Sequence, residues 1–538
     1  MRVAKVLIVT SRLAYNIVRD VVDCTVREGR SKYDVDILRL PVDVAALVTT
    51  EYIARYLKSA GITKGKYDLI VVPGLVRGSC QVIEEATGIK AVKGCTHAAD
   101  IQYLLEVELS ELSGEHPADE VLKKYVKEKV TEVLGKIEEK AASEDSLKVG
   151  AISIPTHPPP MRIISEIPEA HMLKDEELIK VASRLIREGA DILSVGFEAY
   201  SPHPDRVAHV IKLLKREVGA PVAIDSIIPS EIVEGVKAGA DLVLSLTREN
   251  IPEVAEHIRE VPAVVIPQHG GSVPREVGER VKLLESNIDL ARSHRLEMLV
   301  GDLILEPPIA GGTLWSLAAY YEFRRRHPEI PLLMGVGNVT ELVDVDSVGV
   351  NATLAFLALE VGASLLLTVE KSAKTRGSTM ELAIAAQMAS LAWFRRSPPK
   401  DLGVDLLILK DKVSTPVEFR VGGKVEVIDV GEVAGVELKH TGFDPAGIFK
   451  IRVNHDDGVI EALYMGRKGL KLIRGKDSKS IMQYIISNGL VSKLSHAAYL
   501  GSELTKAEEA LVLGKSYVQE QPLFTKKSLI KLKAREGG

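Results

Sequence analysis

Cysteine is nearly absent from this chain of 538 residues. The three present, Cys24, Cys80 and Cys95, are too few and too scattered for a disulfide framework or a metal site built of thiolates. Aromatic residues are scarce at 4%, while Ile, Val, Glu, Lys and Arg are plentiful, a balance that points to a heat-adapted source. Excess charge is lacking too: a formal net charge of -5 argues against a general nucleic-acid-binding role, so any phosphate binding has to be local. No apolar run approaches the length needed to span a bilayer, and the first residues run into a charged strand where a secretory signal would stand, so we expect a cytoplasmic protein without a membrane partner. A dinucleotide fingerprint is missing as well, since Thr10-Ser11-Arg12 follows the first predicted strand in place of a glycine-rich turn.

What the chain does have is a repeating unit. Hydrophobic residues make up 46% of it, enough for two or three domains with cores of their own. Between residues 147 and 396 a short apolar run, a break rich in Gly, Pro and charge, and an amphipathic helix recur eight times. The pattern predicts a (βα)8 TIM barrel with strands at 149–154, 192–195, 222–224, 242–246, 263–266, 298–300, 332–334 and 364–367. The clearest helices are 176–189, 230–239, 274–292, 312–327 and 350–362, and Gly189, Gly239 and Gly362 each stand before an alanine where a left-handed helix cap is expected.

Two regions flank the barrel in this α/β arrangement. Residues 1–145 alternate strands (3–9, 35–38, 69–72, 91–92) with helices, which predicts an open-sheet α/β domain of flavodoxin or Rossmann type, closed by a charged helix at 117–140 and a linker at 141–146. After the break at 396–400, residues 401–525 read as a C-terminal α+β domain. Its strands are expected near 406–409, 417–421, 424–430 and 448–453, and its helices near 478–488 and 504–513.

A TIM barrel carries its chemistry on the loops at the C-terminal ends of its strands. Strand 2 runs into Ser194-Val195-Gly196-Phe197-Glu198, strand 3 into Asp225-Ser226, and strand 4 into Ser245. Gln268 and His269 follow strand 5, Asp302 and Glu306 follow strand 6, and Asn338 follows strand 7. Carboxylates and an amide around one mouth suit an aminopyrimidine, whose ring N–H and exocyclic amine a carboxylate accepts together; a pterin has that edge. After strand 8, the run Lys371-Ser372-Ala373-Lys374-Thr375-Arg376-Gly377-Ser378 stands where barrels commonly hold a phosphate at a helix N-terminus. His203 and Arg206 follow strand 2 and are further candidates for the mouth, as are Thr156 and His157 after the first predicted strand. His97 and Asp100 read as caps of the next helix, and His496 as a helix-start residue or a ligand.

The order and spacing of Gly189-Ala190-Asp191-Ile192-Leu193-Ser194-Val195-Gly196-Phe197-Glu198, Ala223-Ile224-Asp225-Ser226 and Ala238-Gly239-Ala240-Asp241 resemble the pterin-binding barrel family, which includes dihydropteroate synthase and the methyltransferases that feed corrinoid proteins. The three-part chain resembles more narrowly the archaeal dihydropteroate synthase-like proteins. The resemblance implies that Asp225 matches the strand-3 aspartate lining the pterin pocket, and Asp302 the strand-6 aspartate that holds the aminopyrimidine edge. Glu306, before Pro307, offers an alternative alignment; Asp302 is preferred because it lies nearer the predicted strand end. Ser245 stands where the family has asparagine. Asn338 stands where synthases have lysine and methyltransferases have an asparagine near the pterin N5.

The reaction implied first is condensation of a dihydropterin pyrophosphate with an aryl amine in folate or tetrahydromethanopterin synthesis. Asp225, Asp302, Lys371 and Arg376 would be catalytic, and Glu198, Ser245, Gln268, His269, Glu306, Asn338, Lys374 and Ser378 would bind substrate. The reduced pterin is the substrate, Mg2+ the ion such a synthase uses, with Thr156-His157 at the corresponding position, and a homodimer the expected assembly. The synthases' glycine-rich strand-2 loop is replaced here by Glu198-Ala199-Tyr200-Ser201-Pro202. The alternatives are methyl transfer from a methylated tetrahydropterin to a corrinoid protein, and a non-enzymatic pterin carrier or sensor.

Overall fold

The structure is a computed structural model that describes residues 3–143, 146–198, 202–412 and 444–524. The strands expected at 417–421 and 424–430 lie outside the described residues. Four parallel strands, β1 (Lys5–Thr10), β2 (Asp34–Arg39), β3 (Leu69–Val72) and β4 (Ala91–Lys93), form an open sheet in the order β2-β1-β3-β4. The apolar β3, Leu-Ile-Val-Val, is buried along its whole length because helices cover both faces of the sheet.

The helix Asp119–Ser143 does more than close this domain. Its Val133 and Ile137 pack on Met388, Leu391 and Ala392 of the last barrel helix, Ser378–Arg395, and on Leu402. Asp100 and Arg395 form a buried ion pair across the same junction, and His97 Nε2 lies 3.2 Å from Asp401. His97 and Asp100, expected as helix caps, make no side-chain cap and instead tie the first domain to the barrel.

The barrel is closed and parallel, built of β7 (Arg162–Ile167), β8 (Ile192–Gly196), β9 (Val222–Asp225), β10 (Leu242–Leu246), β11 (Ala263–Val265), β12 (Leu299–Gly301), β13 (Leu332–Gly335) and β14 (Ala363–Val369). Seven of these strands overlap the runs read from the sequence, and Gly189, Gly239 and Gly362 take φ of +106°, +101° and +79° at helix ends.

The first strand differs. The run 149–154 is not a barrel strand but a hairpin, β5 (Ser146–Val149) against β6 (Ile152–Pro155), turned at Gly150 with φ +55°. Its Val149 and Ile154 join the barrel's interior layer with Ile164, Ile192, Ala223, Leu242, Val300 and Leu365. A Cβ on Gly150 would lie 3.1 Å from Pro221 and 3.2 Å from Asp241, which precede β9 and β10, so the hairpin plugs the N-terminal end of the barrel. The apolar residues that suggested a strand seal the bottom of the barrel. Thr156 and His157 therefore sit at the end opposite the mouth.

The C-terminal domain has a three-stranded antiparallel meander, β15 (Gly447–Asn454), β16 (Val459–Gly466) and β17 (Gly469–Gly475), packed on the helices Ser478–Ser487 and Leu494–Val512. β16 and β17 were not anticipated. The strand expected at 406–409 does not form: Leu407, Ile408 and Leu409 are exposed, while Leu402 is buried against the barrel's last helix. This domain meets the mouth side of the barrel, where Arg376 faces Asp456 at 3.6 Å. Among the described residues no helix is long and apolar enough to cross a membrane.

Candidate active site at the barrel mouth

Moving the first strand to β7 places Glu166 at its C-terminal end, a residue missed in the sequence because its strand was. Glu166 is flanked by β8, where Gly196 leaves room for it: a Cβ there would fall 2.5 Å from Glu166 Oε1. Asp225 ends β9 and accepts a hydrogen bond from Ser245 Oγ at 3.1 Å. Ser245 holds φ at +67°, a left-handed conformation unusual for serine within a strand, and such strain gathers at functional sites. Asp302, just past β12, accepts from Ile304 N at 2.7 Å and from the Tyr320 hydroxyl, both on Oδ1, so Oδ2 is the oxygen a ligand can use.

These acids feel one another. Burial, then the Asp225 carboxylate, push Glu166 up to about 7 against the pull of Lys371. Burial raises Asp225, with the Ser245 hydroxyl opposing, and takes Asp302 up to about 6, with Tyr320 and the Ile304 amide opposing and Asp225 adding to the rise. Glu166, Asp225 and Asp302 thus share one mouth, and burial together with their mutual repulsion raises the proton affinity of each above the ordinary carboxylate range.

Glu306 is occupied. It pairs with Arg280, a guanidinium only 1% exposed that also donates to Pro274 O at 2.7 Å, Ile304 O at 3.3 Å and Ser316 Oγ at 3.1 Å. Arg280 thereby pins the loop after β12 from beneath, and Asp302 occupies the strand end. Arg280→Met should cost the barrel about 3–5 kcal/mol, because it strands the Glu306 carboxylate and several carbonyls, whereas Arg259→Met at an exposed position should cost almost nothing. Calorimetric unfolding of the two variants is the check. Asn338 is exposed in the first turn after β13 and donates to Leu305 O at 3.1 Å. His269 turns away to Glu249 at 2.9 Å, and the Gln268 carbonyl accepts from Asn287 at 3.3 Å.

The strand-8 loop does not assemble the expected phosphate clamp. Glu341 accepts from Lys371 N at 2.8 Å and Ser372 N at 3.1 Å, and Glu370 accepts from Thr379 N at 3.1 Å, so the protein's own carboxylates take three backbone amides of this loop that an anion could otherwise use. Lys374 is held by Val343 O and Asp344, Arg376 faces Asp456, and Ser378 is buried under the loop. Lys371 alone of the run remains beside the acids, 3.3 Å from Glu169 and within electrostatic reach of Glu166.

On the strand-2 side, Arg206 holds the carbonyls of His171 and Leu173 and does not reach into the mouth, while His203 lies near Glu198 at 3.9 Å. His171, Glu198 and His203 are the metal-capable group found among the described residues. Mg2+ prefers an octahedral shell of oxygens, and two imidazoles do not supply it, so this group does not fit the Mg2+ expected from the resemblance. In the C-terminal domain His496 Nδ1 lies 3.0 Å from Asp444; burial would raise that carboxyl, but the Ser492 hydroxyl and then the amides of Lys493, Ser492 and Ala446 hold it well below the usual range, an anchor for the loop.

Residues 165–297 match the family described as "Pterin binding enzyme", residues 4–96 a family of unknown function (DUF6513), and residues 443–520 the family PterinBD-DUF4346. Solved structures similar to the chain include dihydropteroate synthase from Xanthomonas albilineans in complex with 7,8-dihydropteroate, at 22% identity over 44% of this chain and 96% of that one, TM-score 0.35. Another is the Yersinia pestis enzyme with a pterine-sulfa conjugate, at 17% identity over 46% of this chain and 100% of that one, TM-score 0.38. The uncharacterized protein MJ0107 of Methanocaldococcus jannaschii is 35% identical over 537 residues, covering 97% of this chain and 99% of its own. With a full-length archaeal relative and a pterin-binding match that begins on β7, the chain belongs to the archaeal dihydropteroate synthase-like family of pterin-binding barrels.

Proposed function

We propose that the protein is a pterin-dependent transferase of the synthase type, condensing a dihydropterin pyrophosphate with an aryl amine. The observation that supports this reading is the meeting of Asp225 and Asp302 within electrostatic reach at one mouth, with Lys371 on its rim. Asp302 takes the aminopyrimidine edge, and Asp225 with Ser245 lines the opposite side. The amine nitrogen attacks the pterin's methylene carbon, the C–N bond forms as the C–O bond to pyrophosphate breaks, and the amine proton passes to Glu166, whose affinity near 7 suits a general base. Lys371 faces the departing charge.

Methyl transfer from N5 to a corrinoid cobalt is the second reading, favoured by a specific observation: Glu341 and Glu370 take three of the strand-8 loop's amides, which weakens any anion clamp there, and such transfer needs none. Purified protein given dihydropterin pyrophosphate and an aryl amine should release pyrophosphate, with Lys371→Ala slowing release by about tenfold or more, the loss of one charge-assisted contact. Cobalamin methylation dependent on a methyl-pterin, without pyrophosphate release, would move the assignment to the second reading. Saturable pterin binding without either turnover would leave a carrier or sensor.

A further inference from the structure

Two loops on one side of the mouth bring together three side chains that the pterin site does not use. His171 lies in the loop after β7, and Glu198 and His203 lie in the loop after β8; one ligand atom from each falls within 4.8 Å of the others. The rings of His171 and His203 stack at 4.7 Å with planes 16° apart, and the Phe197 ring lies 6.0 Å from His171 with planes 27° apart. His171 Nδ1 is buried and has no hydrogen-bond partner among the described residues, an uncommon state for a ring nitrogen. Both histidines have outer support. Arg206 Nε donates to His171 O at 3.2 Å and Arg206 Nη2 to Leu173 O at 2.6 Å. The fully buried Glu231 accepts from His203 N at 2.8 Å and from Ser226 Oγ at 2.6 Å, tying His203 to the loop that follows Asp225.

Two imidazoles and one carboxylate on neighbouring loops, with both histidine backbones braced by further side chains, form the donor set of an open three-ligand transition-metal site. We infer that His171, Glu198 and His203 bind one divalent ion of the Zn2+ class at the rim of the mouth. Bonds of about 2.0–2.1 Å to a tetrahedral ion place ligand atoms about 3.3 Å apart, so the three side chains draw in by up to about 1.5 Å, and the stacked rings turn so that their in-plane lone pairs converge, when the ion enters. Glu198 is exposed and free to make that adjustment. Selectivity follows from the donors, because imidazole suits Zn2+, Co2+ and Fe2+ and is a poor exchange for the water shell of Mg2+.

The test uses the full-length protein, stripped with chelator and titrated with Zn2+ in a calorimeter without any pterin, so its outcome is independent of the pterin reading. One Zn2+ per chain is expected, unaffected by millimolar Mg2+, and Co2+ loading should give the intense visible absorption of a tetrahedral site. His203→Gln and the exposed Glu198→Gln should each weaken Zn2+ binding by about tenfold or more, with circular dichroism unchanged. Absence of saturable binding would overturn the inference, leaving the cluster as a stacked histidine pair beside a carboxylate. Binding that both variants retain, or that Mg2+ displaces at equal concentration, would overturn it as well.

Discussion

Asp302→Asn should weaken binding of a reduced pterin by about a hundredfold, with the fold intact. A carboxylate accepts from both the ring N–H and the exocyclic amine, and charge-assisted hydrogen bonds contribute about 1.5–3 kcal/mol each. The introduced amide would keep its oxygen toward the Ile304 amide and the Tyr320 hydroxyl, which already donate to Oδ1 of Asp302, and so would turn an NH2 toward the ligand's own donors. One acceptor is lost and a donor faces a donor. Because burial takes Asp302 up to about 6, affinity should also decline as pH falls below that value, as the carboxylate takes a proton and loses an acceptor site. Fluorescence titration with a reduced pterin from pH 5 to 8 measures both effects. An Asp302→Asn variant that binds as well as the parent would mean that the aminopyrimidine edge lies elsewhere.

Glu166→Gln should change how stability depends on pH. The folded-state affinity of Glu166 for its proton, about 7, is raised above the ordinary 4.5, chiefly by burial and then by Asp225. A raised carboxyl contributes its full stability below the unfolded value and loses it as pH rises through the folded one, so ionising Glu166 inside the barrel costs folding free energy between pH 4.5 and 7. If the whole shift were realised the cost would be about 3 kcal/mol. Glutamine keeps the shape without the charge, so the variant should melt above the parent at pH 8, and the two should converge near pH 4.5. Asp302 titrates in an overlapping range but is common to both proteins, so its direct contribution cancels in the comparison. Melting curves that run parallel from pH 4.5 to 8 would show that Glu166 is not held in this environment. The same substitution should remove the limb near pH 7 from a turnover profile if Glu166 receives the amine proton.

Much of the barrel was legible because strands covered on both faces must be apolar along their length. Ile192–Gly196, Val222–Asp225 and Leu242–Leu246 announce themselves this way. The exception is instructive. Arg162–Ile167 interrupts its apolar run with Ser165 and Glu166 because its end serves the mouth, whereas the hairpin before it is apolar because it fills the barrel floor. Pattern alone favours the hairpin, and with the misplaced strand Glu166 and His171 went unnoticed. The strand-8 cations were misread for a different reason: composition shows Lys374 and Arg376 but not Asp344, Asp456, Glu341 and Glu370, which come from other positions to occupy them or the neighbouring amides.

By itself, then, the sequence determined seven of the eight barrel strands and placed Asp225 and Asp302 at strand ends, since apolar runs and strand ends are local properties that a chain carries in its order of residues. Only the tertiary structure decided which charged groups remain available at the mouth. Whether a carboxylate meets a guanidinium, an amide or open space depends on partners tens to hundreds of residues away, as Arg280 with Glu306 and Arg395 with Asp100 demonstrate, and electrostatic energy depends on that distance in space, not on distance along the chain.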